Sequence, residues 1–410
     1  MSHDSSTLAY NYCALPLAVY ASRPDLSRGR IVMEEESKHR TAFQRDRDRI
    51  IHTSAFRRLK YKTQVFVYHE GDHYRTRLSH TIEVAQIART LARALMVNED
   101  LAEAVALAHD LGHTPFAHMG EDVLKICMTD LGGFFHNDQS LRILTTLEQK
   151  YPLWTGLNLT WETLEGVAKH NGPVLKKNEK LTRENLPVAL FELSQKMDME
   201  LDKYASLEAQ CAAIADDIAY NNHDVEDGLR AGFFTLDEIE ALELFKKPLA
   251  DIRKSYPNIT PSVLVAEMIR DMIGMMVVDV LDTSMDNIKR LNPQSSKDVS
   301  HAGQQIVLFS SEMDRKMVEL RKFLFERMYR HYTVERISLK VKRILPDLFH
   351  AFLNQYRLLP DHWQKRLEIA GGVDDKMIRA RVVCDYVAGM TDRFAIREHE
   401  RMFDLYWDLK

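Results

Sequence analysis

LSHTIEVAQIARTLARALMV, residues 78–97, is the stretch on which the fold turns. Leu78, Ile82, Ala85, Leu91 and Leu95 recur there at helical spacings. Asn98-Glu99-Asp100 then offers a break and a fresh N-cap. Residues 101–110 read as a second, short helix ended by Gly112 and Pro115. Working outward, segments 139–150, 187–230, 236–246, 261–290, 304–331, 333–357 and 376–408 also read as helix. Strand-like alternation is scarce, although Gln64–Tyr68 followed by Gly71 predicts a short hairpin near 61–75. The fold class is therefore all-α. Polar, Pro- or Gly-bearing stretches at 22–30, 171–184, 291–303 and 358–374 read as loops, and there is no internal repeat. The 291–303 loop divides a core, 35–290, from a helical C-terminal lobe, 304–410, with residues 1–34 as an N-terminal segment.

Composition narrows the function. The 410 residues are 45% hydrophobic and 28% charged, as expected of a globular chain with a sizeable core. A formal net charge of -5 gives no whole-chain attraction to nucleic acid or anionic membrane, so an anion site must come from a local basic cluster. Cys13, Cys127, Cys211 and Cys384 are scattered and form no CxxC pair, which fits a reduced, cytoplasmic setting. The polar N-terminus predicts no secretory signal. The longest apolar run, Met268–Val280, is interrupted by Arg270 and Asp271, so no membrane span is expected.

The histidines carry more. His80 stands four residues before Val84, seven before Ile87 and eleven before Leu91, on the apolar stripe of its helix. Alone, it fits a satisfied core histidine as well as a ligand. His109-Asp110 ends the next helix, with the two side chains diverging by about 100°. Ala209, Ala213, Asp216, Tyr220 and Asp224 trace one face of a later helix, small residues leading to acids and a phenol. Asp217 points nearer the apolar edge, which leaves Asp216 as the ligand candidate. His80, His109, Asp110 and Asp216 supply two imidazoles and two carboxylates. Such a set suits Mn, Fe, Co, Ni or Zn and, less well, Mg. A divalent metal there can activate water and polarise a phosphoryl oxygen.

This set resembles the metal ligands of the HD-domain phosphohydrolases. Ala108-His-Asp-Leu-Gly-His-Thr-Pro-Phe-Ala-His118-Met-Gly-Glu121, the stretch Arg45–Lys60 and Asp385-Tyr-Val-Ala-Gly-Met-Thr-Asp-Arg-Phe394 are similar to signatures of the deoxynucleoside triphosphate triphosphohydrolases, in particular the bacterial dGTPase-like branch. The likeness spans roughly residues 35–400. It implies an HD-type helical core and a metal-dependent hydrolysis of dNTP to deoxynucleoside and inorganic triphosphate. It also implies homo-oligomers, tetramers or hexamers, with dNTP activator sites between subunits in some members.

The resemblance implies further roles. His118 and Glu121 match a catalytic pair, and His113 and His136 match phosphate-contacting positions. Histidine suits proton transfer near neutral pH. Arg58, Lys60 and Arg77 belong to a dense basic stretch between Arg40 and Arg77, and guanidinium forks bind phosphate oxygens in pairs. Arg77, three residues before His80, is the phosphate candidate of that group. Gln64-Val65 matches the position facing the deoxyribose, where an apolar neighbour leaves a 2′-hydroxyl unpartnered. Tyr220 and Asp224 would lie at the sugar, and Tyr386 and Asp392 are candidates for the base end. Gly132–Leu144 and Lys169-His170-Asn-Gly172 are further family-like stretches near the pocket. The basic segment also leaves single-stranded nucleic acid open as a second ligand. Two other readings stand beside the leading one: a phosphatase or phosphodiesterase acting on nucleoside monophosphates or cyclic nucleotides, and a non-catalytic regulator that binds nucleotide or nucleic acid.

Overall fold

A computed structural model describes residues 16–64 and 75–407. Its α-helices run α1 Ala42–Ile51, α2 Ser54–Arg58, α3 Arg77–Ala94, α4 Glu99–Ala108, α5 Ala117–Cys127, α6 His136–Arg142, α7 Trp161–Ala168, α8 Val188–Ser194, α9 Leu207–Arg230, α10 Leu236–Glu240, α11 Glu243–Ser255, α12 Pro261–Leu291, α13 Ser296–Ser300, α14 Ser311–Leu324, α15 Tyr332–Asn354, α16 Asp361–Ile369, α17 Lys376–Ala388 and α18 Asp392–Phe403. Extended pairing among the described residues is confined to isolated bridges, so the all-α reading holds.

The helices begin where the chemistry of the chain lets them. Asn98 accepts from Leu101 N at 3.0 Å and starts α4. Thr76 and Ser206 cap α3 and α9 in the same way. Alanines then set the spacing. Ala85, Ala88 and Ala92 on α3, Ala102, Ala104 and Ala106 on α4, and Ala209, Ala212 and Ala215 on α9 are all buried. Their small side chains let α3, α4 and α9 pack mutually at close range, with α1 and α7 against α4. Gly166 on α7 marks a close approach, since a Cβ there would meet Val105 at 2.6 Å and Ala209 at 3.0 Å.

Two apolar clusters result. The larger runs from Tyr20 to Met328 and includes α3, α4, α9 and α12. The smaller joins Phe116, Val123, Leu124 and Phe134 to Val341–Ala395. Helix α5 follows directly on the His109-Asp110 turn, yet it packs against α15. The segment carrying His118 and Glu121 is therefore held by the C-terminal helices.

Several predicted boundaries move. Segment 187–230 is not one helix but α8 and α9, separated by a connector in which Asp198 O accepts from Trp161 Nε1 at 2.7 Å. The predicted loop 358–374 contains α16. Helix α14 starts only at Ser311, because Ser310 caps it while donating to Asp279. The 376–408 segment breaks at Gly389–Thr391, where Thr391 caps α18. Ile82 faces outward, 52% exposed, off the stripe it was read into. Most of the hairpin expected near 61–75 lies outside the described residues, and a single antiparallel bridge, Thr63 to Thr76, stands at its base.

Candidate active site

His80 on α3 and His109-Asp110 at the end of α4 come together with one potential ligand atom from each residue within 4.8 Å of the others. All three are buried. Asp216, from the middle of α9, closes the group: its Oδ1 lies 3.0 Å from His80 Nε2 and 3.6 Å from His109 Nε2. The outer ring nitrogens fix which atoms face inward. His109 Nδ1 donates to Ala106 O at 2.6 Å, leaving a buried Nε2 with no hydrogen-bond partner among the described residues. His80 Nδ1 meets His223 Nδ1 at 3.1 Å, and His223 Nε2 contacts Glu83 Oε2. The tautomers that satisfy this chain place a lone pair on Nε2 of His80, assigned from the network. Two inward imidazole lone pairs and two carboxylates fit a divalent cation.

Electrostatics point the same way. Burial lowers the His109 pKa, but Asp110 and Asp216 outweigh it and hold the ring at about 9, so the position draws positive charge. Burial raises Asp110, yet Arg77, His109 and His113 hold it well below the usual carboxylate range. Arg77 is buried with its guanidinium on Asp110 Oδ2 at 2.9 Å. It orients the carboxylate, while its buried Nε has no partner among the described residues.

A second cluster adjoins the first through His113. Its Nε2 lies 3.1 Å from Asp110, and its ring stacks on His136 with centroids 4.0 Å apart. Burial, with Arg77 and His136 nearby, drives the His113 pKa well below normal and keeps the ring neutral. Glu121 accepts from the backbone of His136 at 3.2 Å and lies 2.9 Å from its Nδ1 and 3.7 Å from His118 Nδ1. Burial raises this carboxyl, but His118, His136 and Lys125 hold it far below its ordinary value. His118 is the exposed member, at 58%. The backbone bends sharply to present it. Phe116 and Ala117 both adopt positive φ, 63° and 56°, and Gly112 upstream has no room for a Cβ against the backbone of His136 and Ser140.

A third group lies one turn along α9. Tyr220 and Tyr329 hydroxyls are 2.5 Å apart, and Tyr329 donates to Asp224. Burial pushes Asp224 well above the usual range, with the Tyr329 bond opposing it. Asp224 Oδ1 has no partner among the described residues. Gln64 is also buried, with no partner for its Oε1 among the described residues; Val65 lies outside them.

The other sequence candidates stand elsewhere. Arg58 and Tyr386 line a separate cavity. Lys60 is exposed, with its ammonium over Tyr61. Asp392 is consumed as a brace, accepting from Thr63 N and Phe116 N, both at 2.9 Å. Much of the basic stretch is also structural: Arg45 and Arg49 clasp Glu34, and Arg47 pairs with Asp100.

Four contributors had no assigned role in the sequence. His170 Nε2 lies 3.4 Å from Asp216 Oδ2, beside a cavity of about 260 Å³ shared with Ala213 and Asp216. Glu83 and His223 follow His80 and Asp216 by three and seven residues, a helical-spacing signal that could have found them. Tyr329 had none.

Buried His80, His109 and Asp110, closed by the partly exposed Asp216, in an all-α frame define a metal-dependent phosphohydrolase of the HD class, and residues 77–221 match the HD domain. Residues 307–401 match the phosphohydrolase-associated domain. The chain is 51% identical over 409 residues to deoxyguanosinetriphosphate triphosphohydrolase-like protein 1 of Mesorhizobium japonicum, covering 100% of both chains. It is 52% identical to the deoxyguanosinetriphosphate triphosphohydrolase-like proteins of Parvibaculum lavamentivorans, covering 95% of this chain and 97% of that one, and of Brucella ovis, covering 96% of each. The chain belongs to this dGTP triphosphohydrolase-like family of HD-domain proteins.

Proposed function

We propose that this protein hydrolyses deoxynucleoside triphosphates to the deoxynucleoside and inorganic triphosphate. The observation that carries the reading is the direct join, through His113, between the His80–His109–Asp110–Asp216 group and the His118–Glu121–His136 cluster. A divalent ion held by the first group supplies Lewis acidity toward a phosphoryl oxygen and acidifies water. The chain's own residues do the rest. Ionised Glu121 faces His118 and orients an imidazole that is open to solvent and so able to exchange a proton with water or the leaving 5′-oxygen. Neutral His113 stacks on the His136 ring to form a wall for phosphate oxygens. Gln64 Oε1, without a partner among the described residues, would accept from a 3′-hydroxyl, and Asp224, kept neutral by burial, can donate to the sugar or base.

The relatives' names support a dGTP-like substrate. In this reading residues 35–290 form the catalytic core, with 304–410 packed on it and 1–34 as a leading segment. The enzyme acts in the cytoplasm as a tetramer or hexamer. Purified protein incubated with Mn and each dNTP or NTP should release triphosphate and nucleoside from the deoxy form, resolved by ion-exchange chromatography. Release of pyrophosphate and monophosphate, or of phosphate from monophosphates alone, sinks the proposal.

A further inference from the structure

Asp216 is the least enclosed member of the metal-binding group. Its side chain is 27% exposed, against 5% or less for His80, His109 and Asp110. It lines the cavity of about 260 Å³ together with His170, Asn171, Ala213 and Asp217. A carboxylate that borders such a cavity is within reach of water, so burial alone does not hold it toward an ion.

The two oxygens of Asp216 have different partners. Oδ1 faces the ligand imidazoles, 3.0 Å from His80 Nε2 and 3.6 Å from His109 Nε2. Oδ2 meets His170 Nε2 at 3.4 Å and has no other hydrogen-bond partner among the described residues. Asp217, next along α9, turns elsewhere and pairs with Arg321 at 3.3 Å. His170 is itself fixed from two sides. Its ring lies against His109, with centroids 5.4 Å apart and planes within 19°. Its backbone follows the end of α7, where Lys169 is locked to Glu165 at 2.8 Å with both side chains buried. Gly172 N then donates to Lys169 O at 2.8 Å and closes the turn that carries His170.

A donor bound to the far oxygen of a ligand carboxylate has a defined effect. It keeps one oxygen aimed at the ion and withholds the other, so the carboxylate binds through a single atom. The group then keeps an open position for water, which a carboxylate spread over both oxygens would close. The His170 tautomer that satisfies this contact carries its proton on Nε2, assigned from the network. We infer that His170 is the positioning residue of Asp216: its Nε2–H holds Oδ2, and Oδ1 is the one oxygen offered to the ion. The inference rests on the metal reading of the site and is independent of which nucleotide is hydrolysed there.

Mn binding to the nucleotide-free, full-length protein, measured by competition with a chelating dye, tests this. His170→Ala should weaken Mn about 10–100-fold. His170→Gln, whose amide also donates, should recover most of that loss. His170→Phe keeps a ring against His109 but has no donor, and should fall with the alanine variant. In an Asp216→Ala background, His170→Ala should cost nothing further, since the two side chains act through one contact. Circular dichroism and melting check that each variant is folded. Three results overturn the inference. One is unchanged Mn affinity in His170→Ala while Asp216→Ala loses it. Another is a phenylalanine variant that binds as wild type does, which assigns the effect to the ring stack. The third is a further loss in the double variant, which makes His170 a ligand in its own right. A wild type with no saturable Mn site removes the metal reading itself, and this role with it.

Discussion

His80 can offer its Nε2 to an ion because its Nδ1 is engaged by His223, which Glu83 steadies in turn. Neither Glu83 nor His223 belongs to the group of inward-facing ligand atoms. Supporting residues of this kind set ring orientation and ligand basicity. His223→Ala should therefore lower metal affinity about 10–100-fold, read from metal content after dialysis against graded chelator. An unchanged affinity would show that His80 is held by packing alone. Glu121 makes a different demand. It contacts three proton-carrying side chains and no metal-group residue. Glu121→Gln should cut kcat about 10²–10⁴-fold with metal content unchanged, and parallel loss of metal would instead make the residue structural.

At the scale of elements, the turn from α4 to α5 carries the chemistry and the strain. Phe116 and Ala117 sit in left-handed backbone that costs a non-glycine residue about 1–3 kcal/mol. Asp392, at the start of α18, offsets that cost by accepting from Phe116 N and from Thr63 on the segment leading to Gln64. Asp392→Ala strands these buried donors and should destabilise the fold by about 2–5 kcal/mol in urea denaturation. A loss under about 1 kcal/mol would mean that the turn holds without its brace. Helices α3, α4 and α9 were legible in advance, since alanine and leucine periodicity is local. The split of 187–230 was not. Its connector is fixed by a bond to Trp161, about forty positions away along the chain, which leaves no mark on local periodicity.

In the whole molecule, Lys62 ties the two apolar clusters across the site. Its ammonium donates to His113 O and, at 3.0 Å, to Ala388 O, joining the turn after α4 to the end of α17. Burial, aided by Arg58, drops its pKa from 10.5 to about 7. Between those values the unfolded chain binds a proton that the folded chain does not, so this group's contribution rises with pH. It is present above the unfolded pKa and is lost as pH falls through about 7. The slope reaches about 1.4 kcal/mol per pH unit. Denaturation at pH 7.5, 8.5 and 9.5 should show wild type gaining on Lys62→Met as pH rises; a constant difference would place the amine in water.

The sequence by itself determined the all-α class, the helical faces of His80 and Asp216, and the His109-Asp110 pair between them, because helix periodicity and spacing are local properties of the chain. Only the tertiary structure decided how the basic residues divide. Arg45 and Arg49 go to Glu34, Arg77 to Asp110, and Arg58 to a cavity of its own. A cation's partner is set by which carboxylates folding buries beside it. Those carboxylates lie from about ten to more than thirty residues away along the chain, and spacing carries no record of them. The same holds for Tyr329, which reaches Tyr220 and Asp224 across more than a hundred residues once α14 has packed against α9.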